Sequence, residues 1–534
     1  AVNYARFANR NIIDQIAEGA TYQLPQTDKM QQLDMVKTFA GAVTPQHIRA
    51  AALQMTDSVV KLAVVGPNDA ASKKTTEATL RKAWLDGQKS EKTAFTLEER
   101  KVTISTVAPK DKGIVAEEKL PALSPKGQTR RYRLANGMQV IVHSDPTLTG
   151  KITMNMRAAG GTTSVDNGIV AVPSALSLPM KCGIGDLRSG DIVKAARSAQ
   201  VSLVSYAEQL HHGFRGEADF ESVPMLGALL EKRLNQPVFC DSALAQSRSQ
   251  SINDLQHVPV ERRFMDAISK EAFTHGEELL VTEEKIRKMG SAQDLKALEA
   301  KLVGDPERLV VSIAGNRSCQ ELIEAFAPWL NAVKKRSDNG VRPSSKVQTK
   351  TFAWATAPKT MVQMHYRAPA QWTHEAAANM SIIGPAVNLM LREKLRTELS
   401  GVYVVSMNQL LSREPGQYWL GRLNFTAAPE RAQTVQAAAR KAIADLGREG
   451  LSIAAFRQAK TSARLTLERQ TADSWYWSEA LAQSLGKDSD IRALAQAKET
   501  LEAVSLDSVN KMLKNFLSTT PSVYVLSPRQ GQPQ

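Results

Sequence analysis

An arginine and a tyrosine seven positions apart stand in the stretch Leu395-Arg396-Thr397-Glu398-Leu399-Ser400-Gly401-Val402-Tyr403, where the pattern changes from helix to strand. Arg396 offers a permanently charged fork of donors and Tyr403 a neutral hydroxyl, groups able to donate to an oxygen on which negative charge develops. The same residues also suit plain structure: an Arg near a helix C-terminus favours the macrodipole, and a Tyr opening a strand packs. His211 and His212 are adjacent and on a strand would face opposite ways, while Glu208 and His212 could share a metal only on a helix; residues 201–206 before them read as a strand. His365 alternates within a strand, and the Trp475, Tyr476, Trp477 cluster reads as core or inter-module packing. Gly183 and Gly185 form a G-x-G after a helix, whereas a nucleotide loop needs a strand there. Cys182, Cys240 and Cys319 are far apart, odd in number and without CxxC spacing, and read as small buried hydrophobes.

The elements that must hold these residues belong to more than one core, because 534 residues exceed what a single core supports. No apolar run approaches the ~18 residues of a membrane span. Lys and Arg outnumber Asp and Glu, 68 to 54, for a net charge of +14. The bases are interspersed with acids, as in Arg392-Glu393-Lys394, with no basic arm or zinc knuckle, which argues against a nucleic-acid partner. A solvated helical surface explains the charge, with a positive inner face for acidic substrates as the second account. The chain begins Ala1-Val2-Asn3-Tyr4 and shows no secretory signal, as an excised or processed piece would.

Internal repeats organise the chain. Residues 42–66 align without a gap on residues 503–527, and residues 291–315 align with two extra turn residues. Each copy has a capping Thr44, Ser291 or Ser505, a short amphipathic helix, a polar turn and an apolar strand. Three such endings predict three related modules. Residues 1–70 read as the tail of one, with helices near 7–19 and 30–39. Residues 71–126 read as a polar linker with one helix near 76–88. The next module, 127–335, opens with a hairpin at Asn136-Gly137, then a strand at 152–158 running into Gly160-Gly161. The last, 345–534, has strands at 362–367, 402–407 and 418–426, a helix over 376–399, and a long helix over 452–486.

Strand, Asn-Gly hairpin, strand, Gly-Gly, helix and a terminal helix–strand, repeated in tandem, resembles the pitrilysin/insulinase family of zinc peptidases, the inverzincins. Within that family it is most similar to the bacterial periplasmic zinc proteases of the PqqL type. The resemblance implies an α+β fold of tandem α/β sandwich modules, the pitrilysin/LuxS-like metallohydrolase fold, with residues 1–70 as the end of a second module and the others as the third and fourth. It implies a zinc endopeptidase whose metal is bound by an inverted H-x-x-E-H helix in the first module. The matching helix here, Val172-Pro173-Ser174-Ala175-Leu176-Ser177-Leu178-Pro179-Met180, holds no His, Asp or Glu, so no zinc ligand is expected in this chain. The implied partners are an N-terminal zinc-bearing half and peptide or unfolded protein substrates, and the implied compartment is the periplasm. Arg396 and Tyr403 match the family's substrate-gripping pair, which implies a catalytic role at the substrate carbonyl. A non-catalytic peptide-binding or scaffold subunit of the same fold is the alternative.

Overall fold

Capping residues and alternating apolar positions set the elements of the computed structural model, which describes residues 9–22, 29–56, 75–89, 104–272, 276–337, 353–354, 360–394, 402–414 and 416–526. Two units are present, Ala1–Lys101 and Val102–Gln534. The first contains helices α1 (Asn9–Tyr22), α2 (Lys29–Ala42), α3 (Pro45–Thr56) and α4 (Glu77–Lys89). Thr44 Oγ1 accepts the His47 N–H at 3.3 Å and Pro45 occupies the first turn, as a helix N-terminus requires. The strand expected after α3 lies outside the described residues.

The second unit holds two sheets. The first module contains β1 (Ile114–Leu120), β2 (Gln128–Leu134), β3 (Gln139–Ser144), β4 (Ile152–Ala159), α5 (Gly168–Cys182), α6 (Ser189–Ser198), β5 (Ser202–Ala207), β6 (His211–Ala218), α7 (Val223–Asn235), α8 (Asp241–Gln256), α9 (Val260–Ala272), α10 (Glu283–Arg287), α11 (Ala292–Val303), β7 (Val310–Gly315) and α12 (Cys319–Asn331). Its seven strands run in the order β1-β2-β3-β7-β4-β6-β5, with β3 and β7 parallel. The second module contains β8 (Ala353–Trp354), β9 (Thr360–Pro369), α13 (His374–Arg392), β10 (Val402–Ser412), β11 (Tyr418–Ala427), α14 (Ala432–Glu449), α15 (Ile453–Thr471), α16 (Ser474–Ser484), α17 (Asp488–Ala495), α18 (Ala497–Ala503), α19 (Leu506–Leu517) and β12 (Ser522–Leu526). Its strands run β10-β11-β9-β12-β8, with β12 and β8 parallel. Read from the parallel pair outwards, β3-β7-β4-β6-β5 and β8-β12-β9-β11-β10 share one topology. The repeat seen in sequence is therefore a repeat of whole modules, and Ser291 and Ser505 cap α11 and α19 as expected.

One face of each sheet meets its own module's helices. In β4, Ile152, Met154, Met156 and Ala158 enter the core while Thr153, Asn155 and Arg157 face the other way. That second face is covered from the neighbouring module. Trp477 and Leu481 of α16 lie on Ile141, Leu148 and Ala314, and Phe264 and Ile268 of α9 lie on Tyr524 and Leu526. Trp477 and Tyr476 thus pack between modules, while Trp475 is exposed. Each module lends the other a helix, and neither sheet is covered on both faces by its own module alone.

Three expectations change. The stretch read as linker ends in β1, which pairs with β2 through Glu117–Arg130 and Glu118–Arg131 contacts and buries Leu120. Apart from its ends it is solvent-exposed, so no apolar alternation announced it. The long helix over 452–486 is two helices, because Asp473 accepts the Trp475 N–H at 2.9 Å and caps a new start. Cys182 and Cys240 are bridged, joining the end of α5 to the start of α8, and only Cys319 remains a buried thiol, with burial pushing its pKa up to about 11. Helix packing brings together cysteines 58 residues apart. Replacing both bridged cysteines by Ala is expected to lower unfolding free energy by roughly 2–4 kcal/mol, measured by urea titration with and without reductant.

Two buried histidines predict a pH dependence. His143 has its ring 4.8 Å from that of Trp477, and His365 4.9 Å from that of Tyr524; burial lowers each pKa to about 4. The unfolded chain, with His near 6.5, binds more protons than the native one between pH 4 and 6.5. Stability is full above that window and falls as pH drops through it, by roughly 2 kcal/mol per histidine at pH 5. Urea midpoints at pH 7 and pH 5 check this, and a His143→Gln, His365→Gln variant should show a flatter profile.

Candidate functional site

Helix α13 starts where Thr373 Oγ1 accepts the Ala376 N–H at 3.0 Å, and runs down one side of the edge strand β10. Val387 and Leu391 are buried in the core, while Leu395 and Leu399 lie outside the described residues. Asn388 fixes the spacing between helix and strand. Its side chain donates to Met407 O at 3.0 Å and accepts the Met407 N–H at 2.7 Å, standing in for a neighbouring strand at that position. This blunts an edge that is otherwise open to pairing. A groove of about 570 Å³ follows, lined on the helix side by Gly384, Asn388 and Arg392 and on the strand side by Ser406, Asn408 and Gln409.

Arg396 lies outside the described residues, in the segment between α13 and β10. Tyr403 lies within β10 at a register shift: Val402 pairs with Ala427 and Val404 with Thr426, so Tyr403 is an inserted bulge residue. Bulges re-aim side chains and are common beside active sites. The groove begins close to this bulge in sequence, at Val405.

The remaining candidates are structural. His211 and His212 alternate on β6, and the buried His212 ring lies between Gly160 O and Leu302 O, the latter at 2.9 Å. Burial lowers its pKa. Glu208 holds Arg157 at 2.7 Å and Arg215 at 3.6 Å instead of a metal. Gly160 has φ +101°, and a Cβ at Gly161 would meet Glu208 O at 2.1 Å, which explains the Gly-Gly pair at this crossing. Helix α5 buries Val172, Ala175, Leu176 and Leu178 in the core and carries no metal-ligating side chain before Cys182. Among the described residues no three His, Cys, Asp or Glu side chains are placed to share a metal ion, so what is described here does not fit a zinc site.

Sequence reasoning missed a polar cluster on the outer face of the seven-stranded sheet. Arg215 makes two bonds to Glu479 of α16 at 3.0 and 3.1 Å, Asn155 Nδ2 donates to Glu479 at 2.8 Å, and Tyr206 Oη donates to Asn155 at 3.0 Å. The guanidinium of Arg215 also lies 4.1 Å from the Tyr206 ring centre. Polar residues at alternate positions of β4 were the available sign. The partner, Glu479, is remote in sequence.

Part of the chain resembles a known peptidase family. Residues 291–463 match the model of the peptidase M16 inactive domain. The probable zinc protease PqqL of Haemophilus influenzae is 19% identical over 72% of this chain and 43% of its own length. The match over residues 291–463 covers about a third of the chain, and over it the chain resembles the M16 peptidases. Its fold is shared with the periplasmic protease PqqL of Escherichia coli, with TM-score 0.69 and 17% identity over 98% of this chain and 59% of that one. It is also shared with the ferredoxin protease FusC, crystallised with Arabidopsis ferredoxin, with TM-score 0.70 and 18% identity over 98% of this chain and 58% of that one. The chain spans about two fifths of the length of the curated relatives it matches. Among the described residues no helix is long and apolar enough to cross a membrane.

Proposed function

We propose that this chain acts as the non-catalytic half of a zinc metalloendopeptidase, enclosing and positioning peptide substrates for a zinc-bearing half. The observation that carries the reading is the match to the M16 inactive domain, which spans the end of the first module and the helix, bulge and groove of the second. Two sheets joined by exchanged helices give a rigid wall, and a groove beside an edge strand suits an extended peptide. Arg396 and Tyr403 then grip the substrate carbonyl from the second module. The domain reading goes with it: residues 1–70 end a second module, 71–126 join two halves, and 127–335 and 345–534 are the third and fourth modules. The E. coli relative is described as periplasmic, and a disulfide between Cys182 and Cys240 suits an oxidising compartment, which supports a periplasmic location.

The test is recombination. The chain is mixed with the zinc-bearing half of an M16 peptidase of the PqqL type, and cleavage of a quenched fluorescent peptide is followed with and without chelator. Chelator-sensitive cleavage that neither half shows alone supports the reading. A stable complex that binds peptide without cleaving it turns the assignment to a scaffold subunit.

A further inference from the structure

The two modules carry the same pair of arginines, and only one pair is neutralised. On the seven-stranded sheet Arg215 of β6 stands opposite Asn155 of β4, and Arg157 lies two residues further along β4. On the five-stranded sheet Arg422 of β11 stands opposite His365 of β9, and Arg367 lies two residues further along β9. Both pairs occupy the outer face, since the flanking residues Met154, Met156, Met364 and Tyr366 fill the two cores. Such diagonal neighbours on an antiparallel pair stand roughly 7–8 Å apart.

In the first module the charges are met. Arg157 pairs with Glu208, and Arg215 with Glu208 and Glu479. In the second module neither arginine has a carboxylate within ion-pair distance among the described residues. Arg422 is exposed, and Arg367 lies 4.4 Å from the centre of the Tyr418 ring, which supports the guanidinium while leaving its edge donors unused. Helix α9, the element lent to this sheet, covers it at Tyr524 and Leu526 and brings no counterpart of Glu479. Asn408, opposite Arg422 on β10, is an exposed neutral hydrogen-bonding neighbour that also lines the α13–β10 groove. A bidentate, aromatic-supported arginine beside a second free arginine suits a carboxylate.

We propose that this face docks acidic segments of an extended peptide, with Arg367 and Arg422 each taking an Asp or Glu side chain. The inference deepens the reading of the chain as a substrate-holding half and names its substrate class: acidic, unfolded segments.

The test uses the intact chain and needs no metal, no second half and no cleavage, so failure of recombination and failure here are read separately. Fluorescence anisotropy is measured with a labelled Glu-Gly-Ser repeat, and with the same repeat carrying Gln or Lys for Glu. The Glu peptide is expected to bind most tightly, losing affinity as salt rises. Arg367→Gln with Arg422→Gln should weaken it roughly three- to tenfold. Arg457→Gln with Arg464→Gln, two exposed arginines on α15, removes the same charge elsewhere and should change binding little. Equal binding by the first variant, or an equal loss in the second, overturns the proposal in favour of diffuse net charge. In the wild type, the Glu peptide should also protect Arg367 and Arg422 from phenylglyoxal, read by mass spectrometry; unaltered modification counts against the site without depending on any variant.

Discussion

Tyr403→Phe is expected to lower kcat for peptide cleavage by the recombined enzyme about 10²–10³-fold, with KM nearly unchanged. A tyrosine hydroxyl is neutral at working pH and donates most strongly once charge has developed on the carbonyl oxygen, so its loss raises the barrier and leaves substrate affinity alone. Arg396→Ala should lower kcat and also raise KM, because a charged fork holds the substrate backbone before reaction as well as during it. Steady-state kinetics with a quenched peptide separates the two patterns. Wild-type rates in both variants would remove Arg396 and Tyr403 from the mechanism.

The second large effect concerns stability. Glu299→Gln should destabilise the chain by roughly 3–5 kcal/mol, checked by urea titration at neutral pH. Arg233 and Glu299 are fully buried between α7 and α11, 2.7 Å apart. Arg336 reaches the same carboxylate with two bonds at 2.9 and 3.1 Å, and Arg233 donates to Leu176 O on α5 at 2.7 Å. One carboxylate therefore compensates two guanidiniums, and a neutral amide leaves the buried Arg233 charge without its counterion. An Arg233→Met, Glu299→Leu pair removes both charges and should recover part of the loss, since a well-packed apolar pair avoids the desolvation cost. A Glu299→Gln chain as stable as wild type would show that the Leu176 carbonyl and the amide oxygen put in place of the carboxylate suffice for Arg233.

Much of this protein could be read along the chain. The Ser291 and Ser505 caps, the apolar strands at β4, β9 and β11, and the alternation of His211 and His212 are local matters of hydrogen-bond satisfaction and side-chain period, and the structure has them where they were expected. That residues 172–180 of α5 hold no His, Asp or Glu is read directly from the sequence. The misses share a cause. β1 is exposed and held by cross-strand charges, the 452–486 helix breaks at one capping carboxylate, and Cys182 meets Cys240 only after α5 packs near α8.

The sequence by itself determined that the chain is built of repeated α/β modules and that residues 172–180 hold no His, Asp or Glu. Tertiary structure decided how the charges are shared. It placed Glu479 of α16 on Arg215 and Asn155, 264 and 324 residues away, while the corresponding Arg367 and Arg422 were given no such carboxylate among the described residues. The reason is physical: local periodicity fixes which face a residue occupies, but the partner on that face comes from an element lent by the other module, and no local pattern encodes where that helix lands.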